Sequence, residues 1–518
     1  MEIGKMTSAI WVGIDIGTTG VRAVAYQPDG KSLSSSSKFY PLNIPHAEWA
    51  EQDPKQIFAA IERVVKDVAD SLIYEGKEPD GVAFSSVFHS FLAYDCQGEP
   101  ISPLMTWADN RSSDIVQEMR KDPALCQKLY EKTCCPLHPT FPLTKILWLR
   151  KHQPNVFAKM AFVGSIKDYV FKKFTNEWVV DRSIASGSGL YNATKLAWDE
   201  EILKFANIPL AAMPSVVSTT YHQRLSDEAA KRMHLPKSIP VVIGAGDGVL
   251  VNAGIGAVKT GELSATIGTS GALRMLTDKP KIDPKGRTWC YNLTDEVWVS
   301  GGAINNGGIT LRWLRDQICQ YDEKQMKDMD IDAYDLMTLQ AGKISTGSDG
   351  LILLPFFTGE RAPHWNSDLR ASFFGLTLNH KRAHLIRSTM EGVCYSMNSV
   401  LQALKEVSGQ VKDIRVSGSF TKSPLWMQIL ADVFDEEISL VDIDEGAAFG
   451  AAVLGFVSQG ILKDIADTSA LIKIKKVYKP QPKAVATYKK LYEIYDRIYW
   501  NLQREFADIV AYQKQIRN

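Results

Sequence analysis

One tight turn occurs twice in this chain. Ile16-Gly17-Thr18-Thr19-Gly20 and Ile267-Gly268-Thr269-Ser270-Gly271 agree at every position but one, where Thr gives way to Ser. Each follows a short β-type run, and an arginine follows each, as Arg22 and Arg274. Matching turns with matching flanks imply a duplicated strand–turn–strand unit, one copy per half. Successive amides and hydroxyls in such turns form anion-binding concavities. Two of them facing each other would hold a polyphosphate from both sides.

The stretch Val241 to Gly271, which ends in the second copy, organises the rest. Ile239 to Ile243 is an apolar run that reads as a buried strand, broken at Gly244 and Gly246 and followed at once by Asp247. Open α/β sheets bind ligands at the carboxyl ends of their strands, and glycine lets a ligand come close. Asp247 is either a turn residue among glycines or a general base that takes a proton from an attacking hydroxyl. Asp15 ends the first strand beside the first turn. Alone it reads as a turn-forming Asx residue. Together with the second turn and Asp247 it points to an anchor for hydrated Mg²⁺, which takes one or two carboxylates plus phosphate oxygens.

The remaining elements alternate between strand and helix, which implies an α/β chain with largely parallel sheets. Asp53-Pro54 opens a helix whose apolar positions are Ile57, Ile61, Val64, Val65, Val68 and Leu72. Gly81 to Val87 is a strand ending at Phe88-His89-Ser90. Segment 175–192, with its Ser-Gly-Ser-Gly run, reads as a polar insertion. The Gly-Gly-rich stretch 301–308 opens a helix at 309–318. Strand 413–417 leads through Gly418-Ser419 into helix 423–434, and 484–515 reads as one long amphipathic helix.

With 518 residues the chain has room for two or more domains. Lys+Arg and Asp+Glu are equal at 59 each, so no basic excess draws it to nucleic acid or anionic lipid. No run of 18 apolar residues announces a membrane span. Seven scattered cysteines without zinc spacing suit reduced thiols and a cytoplasmic setting. Met6 is a candidate natural start.

No phosphate-binding G-x-x-x-x-G-K-[ST] loop and no G-x-G-x-x-G is present, so any phosphate site rests on the paired turns. His89, at a strand end, is either a satisfied structural histidine or a substrate contact, and His138, in a Pro-flanked loop, is a weaker version of the same choice. Trp107 and Asp109 pair an aromatic plate with a carboxylate, a combination carbohydrate sites use.

These residues resemble the FGGY carbohydrate kinases over nearly the whole chain. The similarity is carried by Asp15-Ile16-Gly17-Thr18-Thr19-Gly20-Val21-Arg22, Gly246-Asp247, Gly268-Thr269-Ser270, Phe141 to Trp148, Ala371 to Glu391 and Gly418 to Trp426. The resemblance implies two actin-like (ribonuclease H-like) α/β domains, 9–254 and 255–518, flanking a deep ATP and sugar cleft. It implies ATP and Mg²⁺ and transfer of the γ-phosphate to a sugar hydroxyl. Asp247 would be the base and, with Asp15, would hold the metal. Thr18, Thr19, Arg22, Gly268 and Thr269 would serve the phosphates. Gly308, Arg312, Gly418, Ser419 and Ser423 would face the nucleotide, with Ser419 replacing the family's usual second glycine. Sugar contacts would fall to His89, Trp107, Asp109, His138 and Thr140.

Within the family, segments 106–112, 136–149, 246–257 and 301–316 look like the gluconate kinase subgroup, though Phe88 stands where that subgroup commonly has Met. The expected partners are a sugar or sugar acid and ATP, with a homodimer also compatible. A xylulose or other pentulose kinase is the alternative, and a non-catalytic sugar sensor the more distant one.

Overall fold

The computed structural model describes residues 9–516 apart from 47, 322–325, 327–330 and 444; the candidate start at Met6 lies outside them. The chain divides into two units. The first takes in the chain up to Thr260 together with Leu276–Ser300 and Glu445–Ile472, and the second takes in Gly261–Met275, Gly301–Asp444 and everything from Lys473 onward. A single change-over after residue 254 does not describe this grouping, because two later segments return to the first unit.

The first unit is built on the strands β1 (Trp11–Ile16), β2 (Gly20–Tyr26), β3 (Ser32–Phe39), β4 (Gly81–Ser86), β5 (His222–Arg224) and β6 (Pro240–Gly246), in the spatial order β5-β6-β4-β1-β2-β3. β1, β2 and β3 form an antiparallel meander, while β4 and β6 run parallel to β1. Helix α1 (Pro54–Tyr74) starts as its sequence requires, with the Asp53 side chain accepting from the Lys55 amide at 2.8 Å and proline in the first turn. Its 3.6-residue apolar stripe is buried against this sheet. Helix α2 (Pro142–His152) is buried along most of its length in a second apolar cluster with Phe91, Met105 and Leu190. Helix α3 (Ile166–Thr175) carries a capping box between Ser165 and Asp168. Helix α4 (Asp247–Gly254) leaves β6 directly.

The second sheet contains β7 (Glu262–Ile267), β8 (Gly271–Thr277), β9 (Trp289–Asn292), β10 (Trp298–Ile304), β11 (Asp413–Ser417), β12 (Ile438–Val441) and β13 (Ile474–Tyr478), in the order β9-β10-β8-β7-β11-β12-β13. Apart from β9 this repeats the first sheet. A hairpin (β7–β8) lies beside two parallel strands (β11, β12) and then an antiparallel edge strand (β13). The duplication read from two turns thus extends to whole sheets. The helices of this half include α5 (Gly308–Leu314), α6 (Arg382–Ser408), α7 (Pro424–Phe434), α8 (Gly446–Ser458) and α9 (Pro482–Asn501).

Helix α8 belongs to the first unit, and glycines explain how. A Cβ on Gly254 of α4 would lie 1.7 Å from the Gly446 carbonyl oxygen, so the two helices meet backbone to backbone. Such contacts are long-range, and no local pattern announces them.

Three further expectations are corrected. Segment 175–192 is no polar insertion: Val179–Asp181 is a strand paired with Ser215–Val217, Arg182–Ser186 is one helical turn, and 179–192 is buried apart from Arg182. Its small residues mark close packing. The C-terminal tail is two helices, α9 and Gln503–Gln515, broken at Leu502. Arg274 is not the counterpart of Arg22. In the first hairpin Ile16 pairs with Val21 and Asp15 with Arg22; in the second, Ile267 pairs with Gly271 and Thr266 with Ala272. The second loop is one residue shorter and Arg274 stands one residue further beyond its glycine, so it falls two pairs further from the turn than Arg22, opposite Ser264. From there its guanidinium donates to Thr266 Oγ1 at 3.0 Å, and Thr266 holds the position of Asp15.

Candidate active site

In the first unit, Asp15, Ser85 and Asp247 gather at one edge of the sheet because β1, β4 and β6 run parallel and lie side by side. Asp15 Oδ1 accepts from Ser85 Oγ at 2.6 Å. Burial pushes the Asp15 carboxyl up, and the Ser85 bond and the Arg22 charge only partly oppose it. Arg22 is ion-paired with Glu445, the residue before α8. The first turn is closed by a bond from the Gly17 amide to the Gly20 carbonyl at 3.0 Å, which leaves Thr19 exposed at its tip. Thr18 is held on two sides: its Oγ1 accepts from the Trp107 indole at 2.7 Å and its carbonyl from Gln52 Nε2 at 2.7 Å.

Asp247 is the first residue of α4, so it sits at a helix N-terminus, where the backbone dipoles favour a negative charge. Its Oδ1 accepts from the Gly248 amide at 2.6 Å. Gly244, with φ +69°, supplies the left-handed kink at the β6 bulge, and a Cβ there would lie 1.7 Å from the Phe84 carbonyl oxygen.

His89 adopts φ +63°, an uncommon conformation for a residue with a side chain. Its Nδ1 donates to the Gly187 carbonyl at 2.7 Å, which leaves Nε2 facing the Tyr291 hydroxyl at 3.5 Å. Phe88, Phe141 and Tyr291 surround the imidazole, with ring centroids 4.8–5.7 Å away. Trp289 stacks on Tyr291 at 4.3 Å. Trp289 and Tyr291 were not picked out in the sequence, because they arrive on a segment that rejoins the first unit from the second half. An alternating aromatic pair, Trp-x-Tyr, was the only signal.

Of the four remaining sugar candidates, Trp107, His138 and Thr140 come together. The Thr140 hydroxyl donates to the Trp107 carbonyl at 2.8 Å, and the Thr140 amide donates to His138 Nδ1 at 3.2 Å. Asp109 departs from expectation. It is fully buried, and both its oxygens are engaged. Oδ1 accepts from Arg111 Nε at 2.8 Å, and Oδ2 accepts from Arg111 Nη2 and the Ala50 amide, each at 2.7 Å. Arg111 in turn lies over the Trp49 ring at 3.8 Å. A carboxylate this fully bonded holds the 104–111 loop in shape and has no oxygen left for a sugar.

The same loop is fastened by Lys145 of α2, which sequence reasoning also passed over. Its fully buried ammonium donates to the His89 carbonyl at 2.7 Å and the Thr106 carbonyl at 2.6 Å. Loss of hydration pulls the Lys145 pKa down to about 7, against the opposing charge of Asp109. One lysine thus ties the His89 loop to the Trp107 loop.

In the second unit a cavity of about 600 Å³ is lined by Gly268, Thr269, Gly308, Arg312, Ser419 and Ser423, six residues expected at the phosphate and nucleotide positions. Asp332, Asp335 and Lys422 add charge to its wall. The β7–β8 turn is clamped by α5, since the Gly308 amide donates to the Gly268 carbonyl at 2.6 Å and the Ile309 amide to the Thr269 carbonyl at 3.1 Å. A Cβ on Gly308 would lie 2.7 Å from the Gly268 carbonyl oxygen, whereas one on Gly268 itself would meet nothing within 4 Å. Gly418 adjoins the cavity at φ +104°, and a Cβ there would press on the Ile267 carbonyl at 2.8 Å. Ser423 caps α7, accepting from the Trp426 amide at 3.3 Å and from Thr338 Oγ1 at 3.2 Å. Among the described residues no cluster of three or more His, Cys, Asp or Glu forms a metal cage, and no helix is long and apolar enough to cross a membrane.

Comparison with known proteins agrees with this arrangement. Residues 10–254 match the FGGY family of carbohydrate kinases, N-terminal domain, and residues 263–459 its C-terminal domain. The Gluconokinase of Bacillus subtilis (strain 168) is 39% identical over 511 residues, covering 98% of this chain and 99% of that one. Two solved structures from Lactobacillus acidophilus, a gluconate kinase and a ligand-bound xylulose kinase, each superpose with a TM-score of 0.91 at 31% identity. Each comparison covers 97% of this chain, with 99% of the gluconate kinase and 100% of the xylulose kinase. Matched by both domains over most of its length, the chain belongs to the FGGY family of carbohydrate kinases.

Proposed function

We propose that this chain transfers the γ-phosphoryl group of ATP to a hydroxyl of gluconate, giving 6-phosphogluconate, with Asp247 as the general base. The observation that carries the assignment of the base is the β6–α4 junction, which presents Asp247 at the sheet edge where Asp15 also lies. Phosphoryl transfer asks the protein for positioning, charge neutralisation and a base within reach of the attacking hydroxyl.

Gly268, Thr269, Gly308, Arg312, Gly418, Ser419 and Ser423 would hold the nucleotide, as the cavity that all but Gly418 line supports. The open space above Gly268 suits close approach of a phosphate. Thr18, Thr19 and Arg22 would complete the phosphate contacts once Arg22 leaves Glu445. Mg²⁺, when bound, would neutralise phosphate charge. Asp15 suits it because its carboxylate, only partly buried, ends β1 beside the first turn. Asp15 and Asp247, at the ends of strands two spacings apart in the same sheet, would hold it together with phosphate oxygens. The acceptor would lie against His89, Tyr291, Trp107, His138 and Thr140. The setting would be the cytoplasm, where ATP is available.

The 39% identity to a gluconokinase supports gluconate. One observation favours a second reading: the xylulose kinase structure superposes as well as the gluconate kinase structure does. Asp247→Asn tests the base. General-base loss should lower sugar-dependent ADP release by about 10²–10⁴-fold, while ATP affinity measured by calorimetry stays within a few-fold. A variant that keeps a tenth or more of the parental rate would remove Asp247 from the role.

A further inference from the structure

The turn at 181–187 reaches three separate parts of the acceptor-side site. Arg182–Ser186 is a single helical turn capped by Asp181, whose Oδ1 accepts from the Ile184 amide at 3.0 Å. Asp181 is anchored from the opposite side by Lys167 of α3, Nζ to Oδ2 at 2.6 Å, and neither side chain is exposed. From this anchored turn, Ser183 Oγ accepts from the Gly246 amide at 3.1 Å. The Gly187 carbonyl accepts from His89 Nδ1 at 2.7 Å. Ser186 Oγ accepts from the Asn292 amide at 3.1 Å, next to Tyr291, and donates to the Ser183 carbonyl at 2.7 Å.

Gly246 is the last residue of β6 and the cap of α4, so its amide direction sets where the chain enters the helix that begins with Asp247. We propose that Ser183 is a positioning residue for Asp247: through the Gly246 amide, the buried turn 181–187 holds the base in register with His89 and Tyr291. The inference rests on the reading of Asp247 as the base.

Ser183 does not touch the reacting atoms, and serine and alanine are close in size, so Ser183→Ala removes the acceptor without opening a cavity. In the full-length chain this variant should lose about 10-fold or more in kcat, since sub-ångström to 1 Å misplacement of a reacting group costs up to about 10²-fold. KM for ATP should stay within twofold and the melting temperature within a few degrees. Ser188→Ala is the control. It removes a hydroxyl of the neighbouring turn that donates to the Ala185 carbonyl at 2.6 Å and accepts from the Leu190 amide at 3.1 Å, with no link to Gly246. It should keep the parental kcat.

Asp247→Asn, assayed alongside, separates the two claims. An inactive Asp247→Asn with a fully active Ser183→Ala overturns the positioning role and leaves the base in place. An active Asp247→Asn overturns both. Equal kcat losses in Ser183→Ala and Ser188→Ala, each tracking its melting temperature, would reduce Ser183 to a packing residue and overturn the proposal.

Discussion

Gly246→Ala tests whether Phe88 shapes the site by filling it. Gly246 has φ −70° and ψ 146°, which any residue adopts, so alanine brings no backbone strain. By restricting the unfolded chain it would instead stabilise by about 0.4–1 kcal/mol. Against this, the new Cβ would sit 2.2 Å from Cε2 and Cζ of Phe88. The ring has little room to retreat. A Cβ on Gly187 would lie 2.7 Å from its Cδ1, and Tyr291 packs on it at 4.9 Å. Overpacking of this kind costs about 1–3 kcal/mol, so the clash decides the sign and the variant is destabilised. About 2–4 °C per kcal/mol holds for 150–250 residues and less for a unit as large as this one, so its melting midpoint should fall by about a degree or more. In a Phe88→Met background, where an unbranched chain can bend aside, the same substitution should be neutral or stabilising. The coupling between the two sites should be about 1 kcal/mol or more, read as the difference in melting shifts by calorimetry. Equal shifts in both backgrounds would refute the reasoning, because the cost of alanine would then have nothing to do with the ring.

Three further outcomes are expected. Lys145→Met should raise KM for the sugar, because it leaves the His89 and Thr106 carbonyls without their donor, and steady-state kinetics reads it directly. The same variant should change the pH dependence of stability. With a pKa near 7 in the folded chain and 10.5 in its absence, the unfolded state binds more protons between those values, so parental stability gains a rising contribution from pH 7 to 10 that the variant lacks. Glu391→Ala should cost about 3–5 kcal/mol, as breaking a buried ion pair does. It strands Arg387, which donates to Glu391 Oε1 at 2.8 Å, along with Ser348 and Tyr488, and urea denaturation measures the loss.

The parts of this molecule legible in its sequence are those whose signals are local. The hairpin turns, the Asp53-Pro54 helix start and the strand ending before Asp247 each depend on residues a few positions apart. The parts that were not legible depend on distant partners. Asp109 read as a free sugar carboxylate because the Ala50 amide that occupies its Oδ2 is 59 residues away and only the fold brings it in. Segment 175–192 read as an insertion because serine and glycine suit both loops and tight packing, and a five-residue helical turn is too short for periodicity to reveal. Tyr291 and α8 rejoin the first unit from the other half of the chain, and no local pattern says so. Arg274 lies two pairs further from its turn than Arg22 because the second loop is one residue shorter and the arginine one residue later, differences that similarity of the turns conceals.

The central claim is that this kinase takes a sugar acid. ADP release with Mg²⁺-ATP, followed by a coupled spectrophotometric assay across gluconate, xylulose, glycerol and several aldoses, tests it most directly. The account predicts turnover with gluconate well above every other acceptor. Faster turnover with xylulose would contradict the substrate while leaving Asp247 and the nucleotide cavity in place, and silence on every sugar with ATP still bound would contradict the enzyme itself.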